Sequence, residues 1–432
     1  MKTLKIGIIG GSGLDNPDLL KDYKEIEVTT PFGKPSSPLI TGKIGEIEVF
    51  IISRHGKKHE FPPTQINNRA NIFALKQQKC KYIIATTAVG SLKEDMKRGD
   101  FVILDQFIDF TKLRTLSFFE KFEFGAIHAQ MAHPFSEELR QRLSRSCDEL
   151  GFINHKKGTV ITIEGPRFST IAESNLYRSW NADVINMSIS PEAILAREAE
   201  VEYAAIAMVT DYDSWKVGEE PVNWDAISKV MSQNSENVKK VILQTINSFS
   251  KEEEALQLKE KIRTIPNWPK PGIMFRDITT LLQDKESLEK AINIFYERYK
   301  GQGIEIVAGI ESRGFILGSI LAYKLGAGFV PIRKIGKLPS DKITEEYELE
   351  YGTDKIEIHK DAIKSGQKVL VVDDLIATSG TMTASCKLIE KLAGKIEECA
   401  AIIELEDLNG KKKLEDKGYK LFSLIKFKEN EA

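Results

Sequence analysis

Short runs of Val and Ile alternate with amphipathic stretches from one end of this 432-residue chain to the other. In the first half they fall at 6–9, 49–52, 82–86, 101–104, 158–163, 184–187 and 204–209; in the second, at 306–310, 328–332, 368–372 and 400–405. Brief apolar runs predict buried strands, and the helical patterns between them predict crossovers, so the expected class is α/β. The length exceeds one ordinary core and predicts two domains. A helical pattern at 225–249 closes the first domain, Ser250-Lys-Glu-Glu-Glu-Ala255 reads as a short charged joint, and an apolar-periodic helix restarts at 256–265. These features put the boundary near Lys251, with domains at 1–250 and 251–432. The chain shows no internal repeat, which argues against one duplicated activity.

A formal net charge of −2 gives no electrostatic case for nucleic acid or an anionic membrane as partner. Local Arg and Lys clusters must carry any phosphate binding. Cys80, Cys147, Cys386 and Cys399 are far apart in sequence without metal-type spacing, as expected of reduced thiols. The N-terminus reads as a first strand, not a leader, and no apolar run is long enough to span a bilayer. The expectation is a cytoplasmic protein with small-molecule partners.

Val369-Leu-Val-Val-Asp-Asp-Leu-Ile-Ala-Thr-Ser-Gly-Thr381 combines a buried strand, two acids and a turn of small and hydroxyl residues before a helical pattern at 382–392. Backbone N–H groups in such a turn can close on a phosphate, and adjacent acids suit ribose hydroxyls and Mg²⁺, a hard ion. In the first half, Gly10-Gly-Ser-Gly13 fails the dinucleotide fingerprint, which needs glycine where Asn16 stands. Arg54-His55, Thr86-Thr-Ala-Val-Gly-Ser91 and Asn186-Met-Ser188 each put phosphate-compatible groups near a predicted strand end. Asp211 and Asp213, two apart in an extended segment, share a face. A carboxylic acid raised by a neighbouring charge and partial burial can donate a proton near neutral pH.

With Ile163-Glu-Gly-Pro-Arg-Phe-Ser169 and Thr210-Asp-Tyr-Asp-Ser-Trp215, residues 3–249 resemble the trimeric purine nucleoside phosphorylases, most of all their 5′-methylthioadenosine branch. The resemblance implies an α/β domain with a mixed central sheet that needs no cofactor. It implies that Ser12, Arg54, His55, Thr87 and Ser188 hold phosphate. Phe168 would stack on the base and Met187 lie against the ribose, while Ser169, Asp211 and Asp213 face the purine edge. Asp211 and Asp213 would be catalytic, and Asp211 would favour a 6-amino purine. His128 would serve the 5′ pocket of a neighbouring subunit. Trp224 stands where smaller aliphatic residues usually line that pocket, and the chain runs into a second domain where the family has a closing segment. Adenosine therefore stays open as substrate; 5′-methylthioinosine is a further alternative, against which Asp211 argues.

Asn267-Trp-Pro-Lys-Pro-Gly-Ile-Met-Phe-Arg-Asp277, Gly309-Ile-Glu-Ser-Arg-Gly314, Ile332-Arg-Lys-Ile-Gly-Lys-Leu-Pro339 and Leu349-Glu-Tyr-Gly352 extend the second pattern. Together these segments make residues 256–428 resemble the type I phosphoribosyltransferases, specifically their adenine branch. That implies a mainly parallel sheet and a site for phosphoribosyl pyrophosphate (PRPP) with Mg²⁺. Phe275 would stack on adenine, and the backbone near Met274 and Arg276 would read its edge. Asp373 and Asp374 would hold ribose hydroxyls, directly or through Mg²⁺. Ala377, Thr378, Ser379, Gly380 and Thr381 would grip the 5′-phosphate. Arg313, Arg333, Lys334 and Lys337 would meet pyrophosphate with Tyr351 beside it, and Glu350 would relay the base proton from a polar lid at 340–353. Glycine is common where Ser379 stands, a departure expected to be harmless.

The combined expectation is a bifunctional purine salvage enzyme that assembles as a trimer or hexamer. A nucleotide-sensing module without turnover is the alternative of a different class.

Overall fold

The computed structural model describes residues 3–10, 20–122, 126–216, 218, 224–348, 353–428 and 431, apart from the side chains of 224–233 and 348. Ser12, Glu350 and Tyr351 lie outside the described residues, as does the Trp224 side chain. The chain divides into two compact units, Met1–Glu253 and Glu254–Ala432.

The first unit is built on an 11-stranded mixed sheet. Its main path runs Lys21–Ile26, Leu39–Ile44, Ile47–Ser53, Lys5–Gly10, Tyr82–Ser91, Val184–Asn186, Thr159–Ile163 and Gln106–Phe110. Strand Glu202–Tyr212 pairs in parallel with Tyr82–Ser91 and shifts register between Val209 and Asp211. Side chains alternate between two cores, as the strand pleat requires: Ile8 and Ile84 enter one, Ile9, Ile83 and Ala85 the other. Helix Trp224–Glu260 lays Val238, Val241, Ile242, Ile246 and Phe249 on the first of these cores, at helical spacing. Each such burial is worth about 1.5–3 kcal/mol.

The second unit has a seven-stranded sheet in the order Lys342–Glu348, Thr353–His359, Gly328–Lys334, Ile306–Ile310, Lys368–Ile376, Lys395–Leu405, Leu421–Phe427. The last five strands pair in parallel, while the first two form an antiparallel hairpin. Val307, Leu370 and Val372 face one core and Ala308, Val369 and Val371 the other.

Helix Trp224–Glu260 is continuous through the charged joint, which lacks Pro and Gly and whose residues are ordinary helix formers. Two sequence expectations need correction. The helix stops before 265, because Arg263–Pro266 pairs as a strand with Met274–Asp277. The polar segment at 340–353 begins as a strand, since Lys342–Glu348 finds a hairpin partner in Thr353–His359. Strand Lys21–Ile26 escaped notice because it is an exposed, charged edge. Cys386 and Cys399, 13 residues apart, bring their sulfurs to 3.5 Å as buried free thiols. Among the described residues no helix is long and apolar enough to cross a membrane.

The phosphate-type turn of the second unit is wedged from behind. A Cβ at Gly410 would stand 2.1 Å from the Ala377 carbonyl oxygen. Gly410→Ala should therefore lower stability by about 1–3 kcal/mol through overpacking, read as a lower thermal unfolding midpoint.

Candidate functional sites

Four strands of the first unit converge on a cavity of about 490 Å³, three by their ends and Tyr82–Ser91 along its second half, where the sequence predicted a loop. Strand Ile47–Ser53 delivers Arg54 and His55, Tyr82–Ser91 carries Thr87, Val184–Asn186 leads into Met187 and Ser188, and Glu202–Tyr212 carries Asp211. All of these line the cavity, with Phe168, Ser169 and Asp213. His128 does not; it is exposed, edge-on to Phe122.

Arg54 is 2% exposed, and its guanidinium is already engaged. Nε and Nη2 meet the two carboxylate oxygens of Glu192 at 2.5 and 3.0 Å, and Nη1 donates to the Thr86 carbonyl at 2.8 Å. Glu192 is fully buried and also accepts the Tyr203 hydroxyl at 2.8 Å. Burial alone would lower the Arg54 pKa, but the charge and hydrogen bonds of Glu192 more than offset it. The fork leaves two of the five guanidinium N–H groups for an anion. Arg54 is thus a fixed donor whose charge Glu192 balances.

His55, beside it, is held neutral near pH 7. Burial, followed by the Arg54 charge, lowers its pKa to about 4, against the pull of its bond to Phe61. Nδ1 lies 2.8 Å from the Phe61 carbonyl, which can only accept. Nδ1 therefore carries the proton of the neutral ring, and Nε2 is left as an acceptor. An O–H of a protonated phosphate suits it.

The hydroxyls form a relay. Thr162 donates to Asn186 Oδ1 at 2.8 Å, Asn186 Nδ2 donates to Thr87 Oγ1 at 3.2 Å, and the Thr87 and Ser188 hydroxyls lie 3.3 Å apart. Ser188 stands at the N-cap of helix Ile189–Glu198 without capping it, so its hydroxyl and the helix start can serve an anion.

Opposite, burial raises the Asp211 pKa to about 6; a Thr210 hydroxyl bond (2.7 Å) opposes the shift and the Asp213 charge adds to it. Burial, not the neighbouring carboxylate, is thus the main cause. Asp213 is also raised by burial, against hydrogen bonding from Ser169 at 2.7 and 2.5 Å. The Ser169 hydroxyl is therefore committed to Asp213. Gly90 lets Asp211 come close, since a Cβ there would stand 3.1 Å from Asp211 Oδ2. Sequence reasoning missed Glu192, Tyr203 and Thr162, and named Asn186 only as part of a strand-end segment. A lone acid in the otherwise apolar run Ile189-Ser-Pro-Glu-Ala-Ile-Leu195 was the one available signal.

In the second unit a cavity of about 740 Å³ takes in Met274, Arg276, Arg313, Lys334, Asp373, Asp374 and the turn from Ala377 to Thr381. The acids sit inside strand Lys368–Ile376, not beyond its end, because pairing with Lys395–Leu405 continues to Ile376. Arg313 Nε lies 2.9 Å from Asp374 Oδ2, so this arginine is paired in the structure. Burial raises both acids, for Asp373 together with the charge of Asp374. Phe275, Arg333 and Lys337 are not in the cavity wall. Arg333 and Lys337 both pair with Glu311, at 3.3 and 2.5 Å. Although burial opposes it, bonds from Lys337, the Lys334 backbone and Arg333 hold Glu311 at about 2. Phe275 packs edge-on to Trp268 at 4.3 Å with the Arg313 guanidinium 5.4 Å from its ring centre. The Arg276 side chain is buried, donating to Thr264 and the Glu431 carbonyl through its two terminal nitrogens. Tyr347, in the wall 3.3 Å from Asp354, was not anticipated.

Adjacent carboxylates of raised pKa are a donor set that a hard cation would relieve. Among the described residues no group of three His, Cys, Asp or Glu side chains converges, so a divalent ion would complete its shell with substrate oxygens and water.

Ser379 has φ of 69°, in the left-handed region, and precedes helix Gly380–Lys391. The departure from glycine is therefore not neutral, since a non-glycine residue there costs roughly 1–2 kcal/mol.

An apolar cavity with an anion relay on one wall and raised acids on another defines an α/β enzyme for a substrate with an anionic and a basic part. Comparison with known proteins makes this specific. The phosphorylase superfamily model matches residues 5–247, and a phosphoribosyl transferase domain matches 277–432. The chain belongs to the phosphorylase superfamily and joins to it a phosphoribosyltransferase domain. It is 50% identical over 254 residues to S-methyl-5′-thioadenosine phosphorylase of Thermofilum pendens, covering 58% of this chain and 95% of that protein. The protein of the same name from Danio rerio is 48% identical over 246 residues, covering 56% and 88%. Methylthioadenosine phosphorylase from Schistosoma mansoni in complex with adenine superposes with a TM-score of 0.55 at 40% identity, covering 57% of this chain and 92% of that one. A mutant of that organism's adenosine/methylthioadenosine phosphorylase, in complex with methylthioadenosine, gives 0.54 at 39%, covering 57% and 91%.

Two outcomes test the geometry. Glu192→Gln leaves the Arg54 charge buried without its partner and should cost about 3–5 kcal/mol, read as a lower unfolding midpoint. Ser379→Gly should recover roughly 1 kcal/mol in the same measurement.

Proposed function

We propose that the chain is a bifunctional purine salvage enzyme. The first unit cleaves 5′-methylthioadenosine with phosphate to adenine and 5-methylthioribose 1-phosphate; the second joins adenine to PRPP, giving AMP and pyrophosphate. The observation that carries the first reaction is Asp211, a carboxylic acid with its pKa near 6 in the wall opposite the hydroxyl relay. The names of the relatives support the nucleoside.

In this reading phosphate attacks C1′ as the C1′–N9 bond breaks, and the proton of Asp211 passes to N7 of the departing purine, which leaves neutral. Arg54, His55, Thr87 and Ser188, joined by Ser12, orient the nucleophile. Phe168 stacks on the base and Met187 flanks the ribose. Asp213, held by Ser169, fixes the purine edge. His128 serves the site of a second copy in a homo-oligomer. The S. mansoni relative named for both nucleosides favours adenosine as a second substrate.

In the second unit, N9 of adenine attacks C1 of PRPP while the bond to pyrophosphate breaks, and Glu350 takes the N9 proton. The turn of Ala377, Thr378, Ser379, Gly380 and Thr381 holds the 5′-phosphate, and Asp373 and Asp374 hold the ribose hydroxyls. Arg313, Arg333, Lys334 and Lys337 exchange their carboxylate partners for pyrophosphate, with Tyr351 beside it. The backbone at Met274 and Arg276 reads adenine against Phe275. Mg²⁺, when bound, supplies charge neutralisation to the leaving pyrophosphate. Removal of adenine by the second reaction draws the first forward.

Incubation with 5′-methylthioadenosine, phosphate, PRPP and Mg²⁺ should yield AMP, and omission of PRPP should leave free adenine; absence of both products defeats the proposal. Because Asp211 works protonated and His55 works neutral, kcat/KM for phosphorolysis should rise through about pH 4 and fall above about pH 6. The fall should be tenfold per unit beyond the ionisation of phosphate itself. Asp211→Asn should abolish the upper limb and cost about 10²–10⁴ in rate. Glu350→Ala should reduce AMP formation while leaving adenine release intact.

A further inference from the structure

Tyr347 belongs to none of the motifs read from the sequence, yet it stands in the wall of the second cavity beside Lys334, Asp354 and Thr381. Strand Lys342–Glu348, which carries it, packs on helix Gly380–Lys391, the helix that the phosphate-type turn opens. Glu345 accepts from Lys387 at 3.2 Å and from Lys391 at 2.6 Å, on the later turns of that helix. Tyr347, two residues further along the strand, shares the face of Glu345 and so falls towards the helix start. Its side chain joins the apolar core that includes Ile332, Ile356 and Met382.

The hydroxyl stands between two groups of opposite use. Burial raises the Tyr347 pKa and hydrogen bonding to Thr381 opposes the rise, so the hydroxyl keeps its proton in the neutral range. On one side is Asp354, a carboxylate that can only accept. The separation from Asp354 Oδ2 is 3.3 Å, long against the 2.7–2.8 Å or so usual for O–H···O. Asp354 does not depend on that bond. Lys334 Nζ lies 3.2 Å from the same oxygen, and the Lys355 backbone N–H donates to the other at 2.8 Å. The Tyr347 proton is therefore weakly held and can be redirected. On the other side is Thr381, the last residue of the turn from Ala377. A phosphate monoester brings acceptor oxygens that need donors. The Thr381 hydroxyl has one proton, and giving it to a phosphate oxygen places that oxygen next to Tyr347.

We infer that Tyr347 is a further residue of the 5′-phosphate site of the second unit, its hydroxyl donating to a phosphate oxygen held by the Ala377–Thr381 turn. The inference rests on the phosphoribosyltransferase reading of that turn. Its ligand class is a ribose phosphate monoester, shared by PRPP and AMP and absent from pyrophosphate and adenine.

The test uses the full chain and titration calorimetry with two probes. Ribose 5-phosphate carries the 5′-phosphate alone, and pyrophosphate with Mg²⁺ lacks it. Tyr347→Phe removes the hydroxyl and keeps the ring, and the unfolding midpoint serves as the fold control. The variant should bind ribose 5-phosphate and AMP about tenfold more weakly, the effect of one lost hydrogen bond to a charged group. Its affinity for pyrophosphate should change less than twofold. In turnover the KM for PRPP should rise by a similar factor, with the KM for adenine changed less than twofold. Wild-type protein that binds neither AMP nor ribose 5-phosphate would sink the transferase reading itself, and the inference with it. With wild-type binding in hand, an unchanged ribose 5-phosphate affinity in Tyr347→Phe overturns the inference alone. So does an equal loss for pyrophosphate, because Tyr347 would then act only by holding Asp354 and Lys334 in place.

Discussion

The first site hangs on a single buried pair. Arg54 and Glu192 meet through two hydrogen bonds with almost no solvent on either side chain. Neither charge would be tolerated there alone, so each fixes the other. Glu192 lies on helix Ile189–Glu198 and Arg54 follows strand Ile47–Ser53, so the pair also sets the distance between two walls of the cavity. The helix start that carries Ser188 is positioned by the same bond. The site is organised before any anion arrives, which is the condition for electrostatic preorganisation.

The second unit solves a similar problem differently. Its cations are held by carboxylates in or beside the cavity: Arg313 by Asp374, and Arg333 and Lys337 by Glu311. These contacts are partly exposed and exchangeable, unlike the sealed pair of the first unit. A polyanion entering here would replace intramolecular partners and would not meet bare charge. The left-handed backbone at Ser379 adds local strain at the turn, a feature that collects at binding loops.

Much of both sites was legible in the sequence because strand ends are readable: a Val/Ile run stops where polar or small residues begin. Arg54, His55, Thr87 and Ser188 were placed that way, Asp211 and Asp213 through the phosphorylase-like motif at 210–215, and all line one cavity. The hairpin at Lys342–Glu348 and Thr353–His359 was missed because its stability comes from pairing of polar strands, which leaves no apolar period. The charged joint continues the helix Trp224–Glu260, as its lack of Pro and Gly allows. Glu192 was missed because a carboxylate's burial is set by residues over a hundred positions away.

The sequence by itself determined the α/β class, the division into two units and the residue types at each cavity, since these follow from local apolar periodicity and from motifs contiguous along the chain. The tertiary structure alone decided the state of those residues. Asp211 is an acid with its pKa near 6 because folding removes it from water; His55 is neutral because burial and Arg54 oppose its proton; Arg54 is a fixed donor because Glu192 is sealed against it. Solvent exclusion and charge pairing act through space, and no reading of neighbours in the chain contains them.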